Sequence, residues 1–450
     1  MKAFHAYDIR GIYNRDFNKD DVYKIGFFLP KLLKTNKILV GRDARTSSEE
    51  IFQYLSKGIT DAGADVYYIG FATTPMVYFA TANYKFDASV QITASHNPKE
   101  YNGLKISRTN ALPVGYDSGL KQLENMILSE PITPLKQKGQ IINFDVKQDY
   151  LKFLKQYITD FQDFKIGIDC SNGMAALLVK DIFGNSPYYL YDEMDGTFPN
   201  HEANPLLPEN RKDLENIVKK HKLDIGIIFD GDADRVMFVD ENAEFVPPDL
   251  IIALLGHYFY EERKETNKKV LQDIRTSKSV AEYLQQFGAE VHIWRVGRAY
   301  AALKLREING LYGGELAGHY YFKDFFYSDS ALLATILVLR ILSNLKNKGI
   351  SFSQIISKIK KYHNSGEINF KIQEKQKAIQ TVVNHFITRE KPQKIYDFDG
   401  YRLEYPLWWF NIRPSNTEPY LRLLVEAKDE TLLWQKVDEI KKILEPFQNE

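Results

Sequence analysis

The chain has 450 residues, with 59 Lys+Arg against 59 Asp+Glu and a formal net charge of zero. At 44% hydrophobic and 26% charged it has the make-up of an ordinary globular protein, and that balance argues against the basic surface that nucleic acid selects. The length exceeds what one core supports, so three or four domains are expected.

Cys170 is the single cysteine, which rules out an intrachain disulfide and fits a reducing compartment. The first residues, MKAFHAYDIRG, carry charges where a signal peptide needs an apolar segment. The longest apolar run, residues 331–339, stops at Arg340, far short of the roughly 18–20 residues that span a bilayer. A cytoplasmic protein is expected, with no nucleic-acid or membrane partner, as a monomer or weak homo-oligomer.

In chain order, the turns Tyr7-Asp8-Ile9-Arg10-Gly11 and Arg42-Asp43-Ala44-Arg45 come first, and each holds cations that suit an anionic ligand or a surface ion pair. The first of three similar regions runs KILVGRDARTS (37–47), GADVYYIG (63–70) and FDASVQITASHNP (86–98). The second runs FKIGIDCSNGMAA (164–176), PYYLYDEMDG (187–196) and LDIGIIFDGDADR (223–235). The third runs KKVLQDIRTSKSV (268–280), GAEVHIWRVG (288–297) and INGLYGGELAGHYYF (308–322). Each is a short apolar β-run, a helix, a β-run, a helix and a β-run ending in a polar loop. Such runs with helical crossovers predict parallel strands in doubly wound α/β domains.

Linkers are expected near 130–147 and 362–367. Beyond about residue 368 the pattern changes to a smaller α+β domain. There the loop 413–419 (RPSNTEP) precedes a strand over 420–427, and Asp429 caps a terminal helix bearing Leu433, Val437, Ile440 and Leu444 on one face. The expected domains are 1–145, 146–248, 249–365 and 366–450.

The polar loops carry the chemistry. Ser95, His96 and Asn97 stand where a core strand stops at Pro98, and in open α/β sheets ligands bind at such strand ends. Ser95 is read as the carrier of a phosphoryl group. Asp230, Asp232 and Asp234 alternate directly after IGIIF, so their carboxylates can converge on a hard cation and leave octahedral positions for a phosphate oxygen, which suits Mg²⁺. The same residues fit positions 1, 3 and 5 of a calcium loop, with Glu241 at position 12. Arg235 stands where that loop needs glycine, however, and the flanks are strand-like.

Glu315 and His319, on a glycine-rich loop, offer the hydrogen bonds a sugar face requires. Arg413, Ser415, Asn416 and Thr417 combine a guanidinium fork with hydroxyls and an amide, a set that fits a phosphate dianion. Lys105, ten residues past Ser95, can return to the same site after the turn at Asn102-Gly103. Cys170 reads as a small packing residue at a βα turn rather than a nucleophile.

SHNP, DGDADR, GGELAGH and RPSNTEP, in this order, resemble the α-D-phosphohexomutases, and the tract GTFPNHEANPLLPEN (196–210) extends the resemblance over essentially the whole chain. YDIRG, EYNGLK and RPSNTEP are most similar to the phosphomannomutase/phosphoglucomutase branch; phosphoglucosamine mutases more often read RPSGTEP and DNGIK. The resemblance implies three related α/β domains and a fourth α+β domain around a central cleft. It implies a phosphoserine at Ser95 and Mg²⁺ held by Ser95, Asp230, Asp232 and Asp234, with Arg235 beside them. It also implies sugar contacts from Glu315 and His319, and a distal phosphate held by Arg413, Ser415, Asn416 and Thr417.

The expected reaction interconverts hexose 1- and 6-phosphates of mannose or glucose through a hexose 1,6-bisphosphate. Phosphoglucosamine mutase is the nearest alternative, and a metal-dependent sugar phosphatase or a phosphosugar-binding protein is the rival from another class. Lys105 and His319 are the expected proton carriers. His96 and Arg10 are expected to shape the phosphoryl site, and Tyr7, Arg275 and Arg298 to line the substrate. Gly297-Arg298 replaces the Gly-His of many relatives, and Arg275 stands where some have lysine.

Overall fold

The computed structural model describes residues 1–159, 161, 163–415 and 420–448. Their strands build four sheets, and the first three repeat one topology. In the first, Asp65–Phe71, Lys37–Arg42 and Ala88–Ile92 run parallel, and Tyr101–Arg108 returns antiparallel beside Ala88–Ile92. In the second, Tyr188–Leu190, Ile166–Asp169 and Ile225–Phe229 are parallel and Val236–Val239 returns. In the third, Glu290–Trp294, Lys269–Asp273 and Tyr312–Gly314 are parallel and Tyr320–Phe322 returns. The threefold cadence of the sequence is therefore a threefold repeat of one sheet order. In each repeat the polar loop is the turn between the third strand and its antiparallel neighbour.

The third strands of the first two sheets, Ala88–Ile92 and Ile225–Phe229, are buried at every position. Such strands have sheet neighbours on both sides and helices on both faces, so their apolar residues run continuously instead of alternating. This anchors the loops that follow them. The apolar run at 331–339 lies in the helix Ala331–Lys346, which is buried along almost its whole length. Among the described residues, no helix is long and apolar enough to cross a membrane.

One continuous hydrophobic core joins the helix Thr74–Asn83 of the first unit, the strand Ile225–Phe229 of the second and the helix Ala331–Lys346 of the third. The fourth unit has a core of its own. Its strands Trp408–Pro414 and Tyr420–Ala427 pack against the helices Lys375–Arg389 and Glu430–Leu444. The side chain of Asp429 accepts a 2.8 Å bond from Leu432 N, and Leu433, Val437, Ile440 and Leu444 are the buried face, as the sequence predicts.

Both expected linkers contain strand. Ile141–Asn143 extends the first sheet beyond Asp65–Phe71, and His363–Asn364 pairs with Glu426 and Ala427. Proline and glycine mark the approaches to these short edge strands rather than loose connections.

Candidate active site

Ser95 sits in the left-handed region with φ 52° and is 1% exposed. An L-residue there costs roughly 1–2 kcal/mol, and several bonds hold it. Ser95 N donates to Thr93 Oγ1 at 3.0 Å, and Asn97 N donates to Ala94 O at 3.0 Å. Ser95 Oγ donates to Asp230 Oδ2 at 2.7 Å and lies 3.4 Å from His96 Nδ1. Burial, together with Arg235, Arg10, Lys105 and His319, pushes His96 well below its ordinary pKa, so its ring is neutral. Arg10 donates to Asn97 Oδ1 at 2.9 Å and pairs with Asp8 at 2.5 Å.

The carboxylate loop lies directly against this turn. A Cβ on Gly231 would stand 2.4 Å from Ser95 O, so only glycine permits the approach. Asp230, Asp232 and Asp234 are fully buried, and ligand oxygens from the three lie within 4.8 Å of one another. Thr74, at the start of the buried helix Thr74–Asn83, donates its backbone N to Asp232 O at 3.0 Å and its hydroxyl to Asp232 Oδ2. The positive end of that helix also favours negative charge there. Lys105 Nζ bridges Asp232 Oδ2 at 2.6 Å and Asp234 Oδ2 at 2.5 Å.

Asp232 Oδ1 and Asp234 Oδ1 are nonetheless buried without a hydrogen-bond partner among the described residues. Burial, with Asp234 and Asp232 alongside, pushes Asp230 well above the usual carboxylate range. Orphaned carboxylate oxygens in an all-oxygen cluster fit a hard divalent cation. Calcium-loop geometry is absent here. Strands flank the cluster, and Glu241 is engaged elsewhere, accepting from Ser353 N at 3.0 Å and Ser353 Oγ at 2.6 Å.

Arg235 links the second unit to the third. Its Nε donates to His319 Nε2 at 2.9 Å, and its backbone bridges to that of His319. His319 Nδ1 lies 2.6 Å from Asp329 Oδ2. Accepting from Arg235 at Nε2 requires the neutral Nδ1–H tautomer. Burial lowers the basicity of this ring, and Arg235 opposes its protonation, but Asp234 and Asp329 outweigh both, so its pKa is raised. Glu315 is 3% exposed and accepts from Tyr321 OH at 2.6 Å and Gly297 N at 3.3 Å.

Arg275 forks onto Asp273, with Nη2 to Oδ2 at 2.7 Å, and lies 3.8 Å from Glu315 Oε2. Arg413 is 4% exposed; its Nε has no hydrogen-bond partner among the described residues, and Asp399 lies 3.4 Å from its Nη1. Burial first and the neighbouring Arg275 second lower the pKa of Arg413. Two guanidinium groups from different units thus stand near enough to repel one another.

Four family models match the chain in sequence order. They are the phosphoglucomutase/phosphomannomutase alpha/beta/alpha domains I, II and III, over residues 1–131, 148–243 and 247–362, and the C-terminal domain of the same family over 367–443. The chain belongs to the phosphoglucomutase/phosphomannomutase family. A phosphomannomutase of Methanocaldococcus jannaschii is 35% identical over 453 residues, covering 99% of this chain and 98% of its own. One from Escherichia coli K12 is 35% identical over 447 residues, covering 97% of each. A phosphoglucomutase/phosphomannomutase family structure from Burkholderia thailandensis superposes with a TM-score of 0.90 at 27% identity, covering 100% of this chain and 98% of its own. The chain is accordingly an isomerase of the phosphohexomutase type.

Within this family framework, most of the site residues named from sequence fall into two groups. Ser95, His96, Lys105, Asp230, Asp232, Asp234, Arg235 and His319 form one connected network. Glu315, Arg275 and Arg413 form a second group, and Ser415 follows Arg413 on the chain, its backbone N donating to Tyr420 O at 2.8 Å. Asn416 and Thr417 lie outside the described residues.

Tyr7 spans two units, its hydroxyl donating to Val296 O at 3.0 Å and its ring lying against Gly297. Arg298 is engaged between units, with Nε 3.2 Å from Asp329 Oδ1, Nη2 donating to Ala111 O and its guanidinium 3.6 Å over the Tyr78 ring. Sequence reasoning passed over Thr74, Asp273 and Asp329. Thr74 and Asp329 stand outside the loops read for chemistry and meet Asp232 and His319 through the fold, whereas Asp273 is only two residues from its partner Arg275 and was in reach of the sequence. Cys170 is fully buried, and burial raises its thiol well above the ordinary value, as a packing residue requires.

Proposed function

We propose that the chain interconverts hexose 1-phosphates and 6-phosphates, of mannose, glucose or both, through a phosphorylated Ser95 and a hexose 1,6-bisphosphate. The observation that carries the reading is the Ser95 hydroxyl held 2.7 Å from Asp230 in a strained turn beside a trio of buried carboxylates. A serine strained and buried next to negative charge is poorly placed for packing. It is well placed to hold a phosphoryl group whose charge a cation and nearby arginines offset.

The metal reading is Mg²⁺ on Asp230, Asp232, Asp234 and a phosphoserine oxygen. When bound, it would neutralise charge on the transferring phosphoryl group. The rest of the chemistry falls to the chain. Arg413 and Arg275 bind the distal phosphate, and Ser415, Asn416 and Thr417 complete that clamp. Glu315 and His319 orient the sugar hydroxyls, while Tyr7 and Arg298 border the site between units. Arg10 and neutral His96 shape the phosphoserine turn.

In the first half-reaction the bond from Ser95 Oγ to phosphorus breaks as the sugar oxygen bonds to phosphorus. The hydroxyl proton passes to His319 Nε2 as Arg235 turns from it to the phosphoryl oxygens. Lys105 supplies the proton that leaves Ser95 as a hydroxyl. The bisphosphate then turns end for end, and the reverse steps return its other phosphoryl group to Ser95.

The test is a turnover assay with mannose, glucose and glucosamine 1-phosphates plus catalytic glucose 1,6-bisphosphate. Ser95→Ala should reduce isomerisation to background while the thermal melt stays unchanged. Wild-type turnover by that variant would refute the proposal, and release of inorganic phosphate without isomer would favour a phosphatase.

A further inference from the structure

Arg45 lies in the turn after the strand Lys37–Arg42 and is 2% exposed. Its guanidinium reaches four backbone carbonyls beyond the end of the neighbouring strand Ala88–Ile92. Nη1 donates to Pro98 O at 2.7 Å and Tyr101 O at 3.0 Å, and Nη2 donates to Ser95 O at 2.8 Å and Asn97 O at 2.6 Å. Three are carbonyls of the turn that carries Ser95, and the fourth belongs to Tyr101, the first residue of the strand that returns from it.

A turn that leaves the sheet to place one residue in the left-handed region has few ladder partners for its carbonyls, although Pro98 O also accepts from Tyr101 N at 3.0 Å. A carbonyl buried as Ser95 O is would cost about 1–3 kcal/mol if left unpaired. A planar guanidinium supplies four N–H groups in a fixed fork, whereas a lysine amine supplies three from one point and cannot span both pairs.

The anchor is itself held. Asp43 stands 3.2 Å from Arg45 Nε and accepts from Arg45 N at 3.0 Å and Ser48 Oγ at 2.5 Å. The second unit covers it. The Phe198 ring lies 5.0 Å from the guanidinium, and Gly196 packs so closely that a Cβ there would stand 2.2 Å from Ala44 O. The tract that includes Gly196 and Phe198 thus closes over Arg45 from the unit that also supplies the carboxylates.

We propose that Arg45 is a positioning residue for phosphoryl transfer: its guanidinium fixes the carbonyls of Ser95, Asn97, Pro98 and Tyr101, so that Ser95 Oγ stays aimed at the carboxylate cluster. The proposal rests on the reading of Ser95 as the phosphoryl carrier. Arg45 meets neither substrate hydroxyl nor phosphate in this role, so its loss acts on the rate of transfer and leaves substrate affinity alone.

The experiment compares Arg45→Lys, Arg45→Ala and Ser95→Ala in the full chain, measuring kcat and KM for mannose 1-phosphate and the thermal melt. Since a misplacement of about 1 Å can cost 10²-fold in rate, Arg45→Ala should lower kcat by about 10²-fold and Arg45→Lys by about 10-fold, each with KM changed less than about threefold. Ethylguanidinium should restore part of the Arg45→Ala rate, a rescue that a general loss of stability would not permit.

If Arg45→Ala does not fold, Arg45→Lys decides. A folded Arg45→Lys with wild-type kcat overturns the proposal, as does a folded Arg45→Ala with wild-type kcat or with a change confined to KM. An inactive Ser95→Ala beside a fully active Arg45 variant would refute the anchor alone, whereas an active Ser95→Ala would refute the phosphoserine reading beneath it.

Discussion

The first three units and the fourth are joined to their neighbours by different physics. The first three share a hydrophobic interior in which the helices Thr74–Asn83 and Ala331–Lys346 lie at the junctions, alongside a second core within the first unit. The fourth keeps its own core and meets the third through polar contacts. Arg402 donates to Ile274 O at 2.9 Å and Thr276 O at 2.6 Å, Val296 N donates to Asp399 at 2.9 Å, and Lys278 donates to Tyr405 O at 3.1 Å. The Trp294–Phe398 ring pair adds to this seam.

Apolar interiors resist partial opening, because separating them exposes the whole area at once. Polar seams can exchange their bonds for water at little net cost. The division matches the proposed chemistry. In that proposal Ser95, the carboxylates, Arg235 and His319 hold their geometry through transfer, and they stand on the fused units. In the same proposal Arg413 takes and releases a phosphate, and it stands on the separate unit. A unit joined in this way can move as a body over a bound sugar phosphate.

The largest test of this contrast is thermodynamic. Leu337→Ala, in the shared interior, should cost about 2–5 kcal/mol and lower the melting of the fused units. Ile440→Ala, in the separate core, should cost a similar amount but lower only a transition that belongs to the fourth unit. Hydrogen exchange resolved by segment would distinguish them. Exchange accelerated across all four units by Ile440→Ala would break the contrast.

A second test is kinetic. Arg413→Ala should raise KM for hexose phosphates by about 10–10²-fold, the worth of charge-assisted hydrogen bonds of about 1.5–3 kcal/mol. Its single-turnover transfer from phospho-Ser95 at saturating substrate should change far less. An equal loss in both would mean that the fourth unit takes part in the chemistry it is here held to serve from outside.

A third test concerns the seam itself and is read from pH. Asp249 is 2% exposed and accepts from Ser277 N at 2.8 Å. Burial, and then Glu426 across the seam, raises its pKa from 3.8 to about 7. A carboxyl whose folded pKa lies above its unfolded value keeps its proton longer in the folded state. Its contribution is therefore complete below 3.8 and is lost as pH rises toward about 7, at a slope of roughly 1.4 kcal/mol per pH unit. Asp249→Asn should flatten stability across that window and leave it unchanged at lower pH. A variant whose pH profile parallels the wild type would remove the seam from the account.

The repeat, the hydroxyl turn, the carboxylate trio and the arginine loop were legible in the sequence because each is local. β-runs announce strands, and Ser95, Asp230, Asp232, Asp234 and Glu315 stand in short polar loops at strand ends, with Arg413 near the end of its strand. What stayed hidden depends on contacts distant in sequence. Arg45 reads as one of several turn cations until its guanidinium is seen on carbonyls 50 to 56 residues away. Asp329, in a two-residue strand, gains meaning only when it is seen to fix His319 and Arg298 together. The inter-unit contacts of Arg298, to Asp329, Ala111 and the Tyr78 ring, were likewise not legible in the sequence. The fused interior was equally invisible, since apolar runs do not say whose helices they will meet.

The most direct measurement follows the phosphoryl group. Dephosphorylated protein incubated with glucose 1,6-bisphosphate should gain the mass of one phosphoryl group. Peptide mapping should place that group on Ser95, and a chase with mannose 1-phosphate should remove it as mannose 1,6-bisphosphate. Phosphorylation at another residue, or isomerisation at full rate with Ser95 never labelled, would contradict the account.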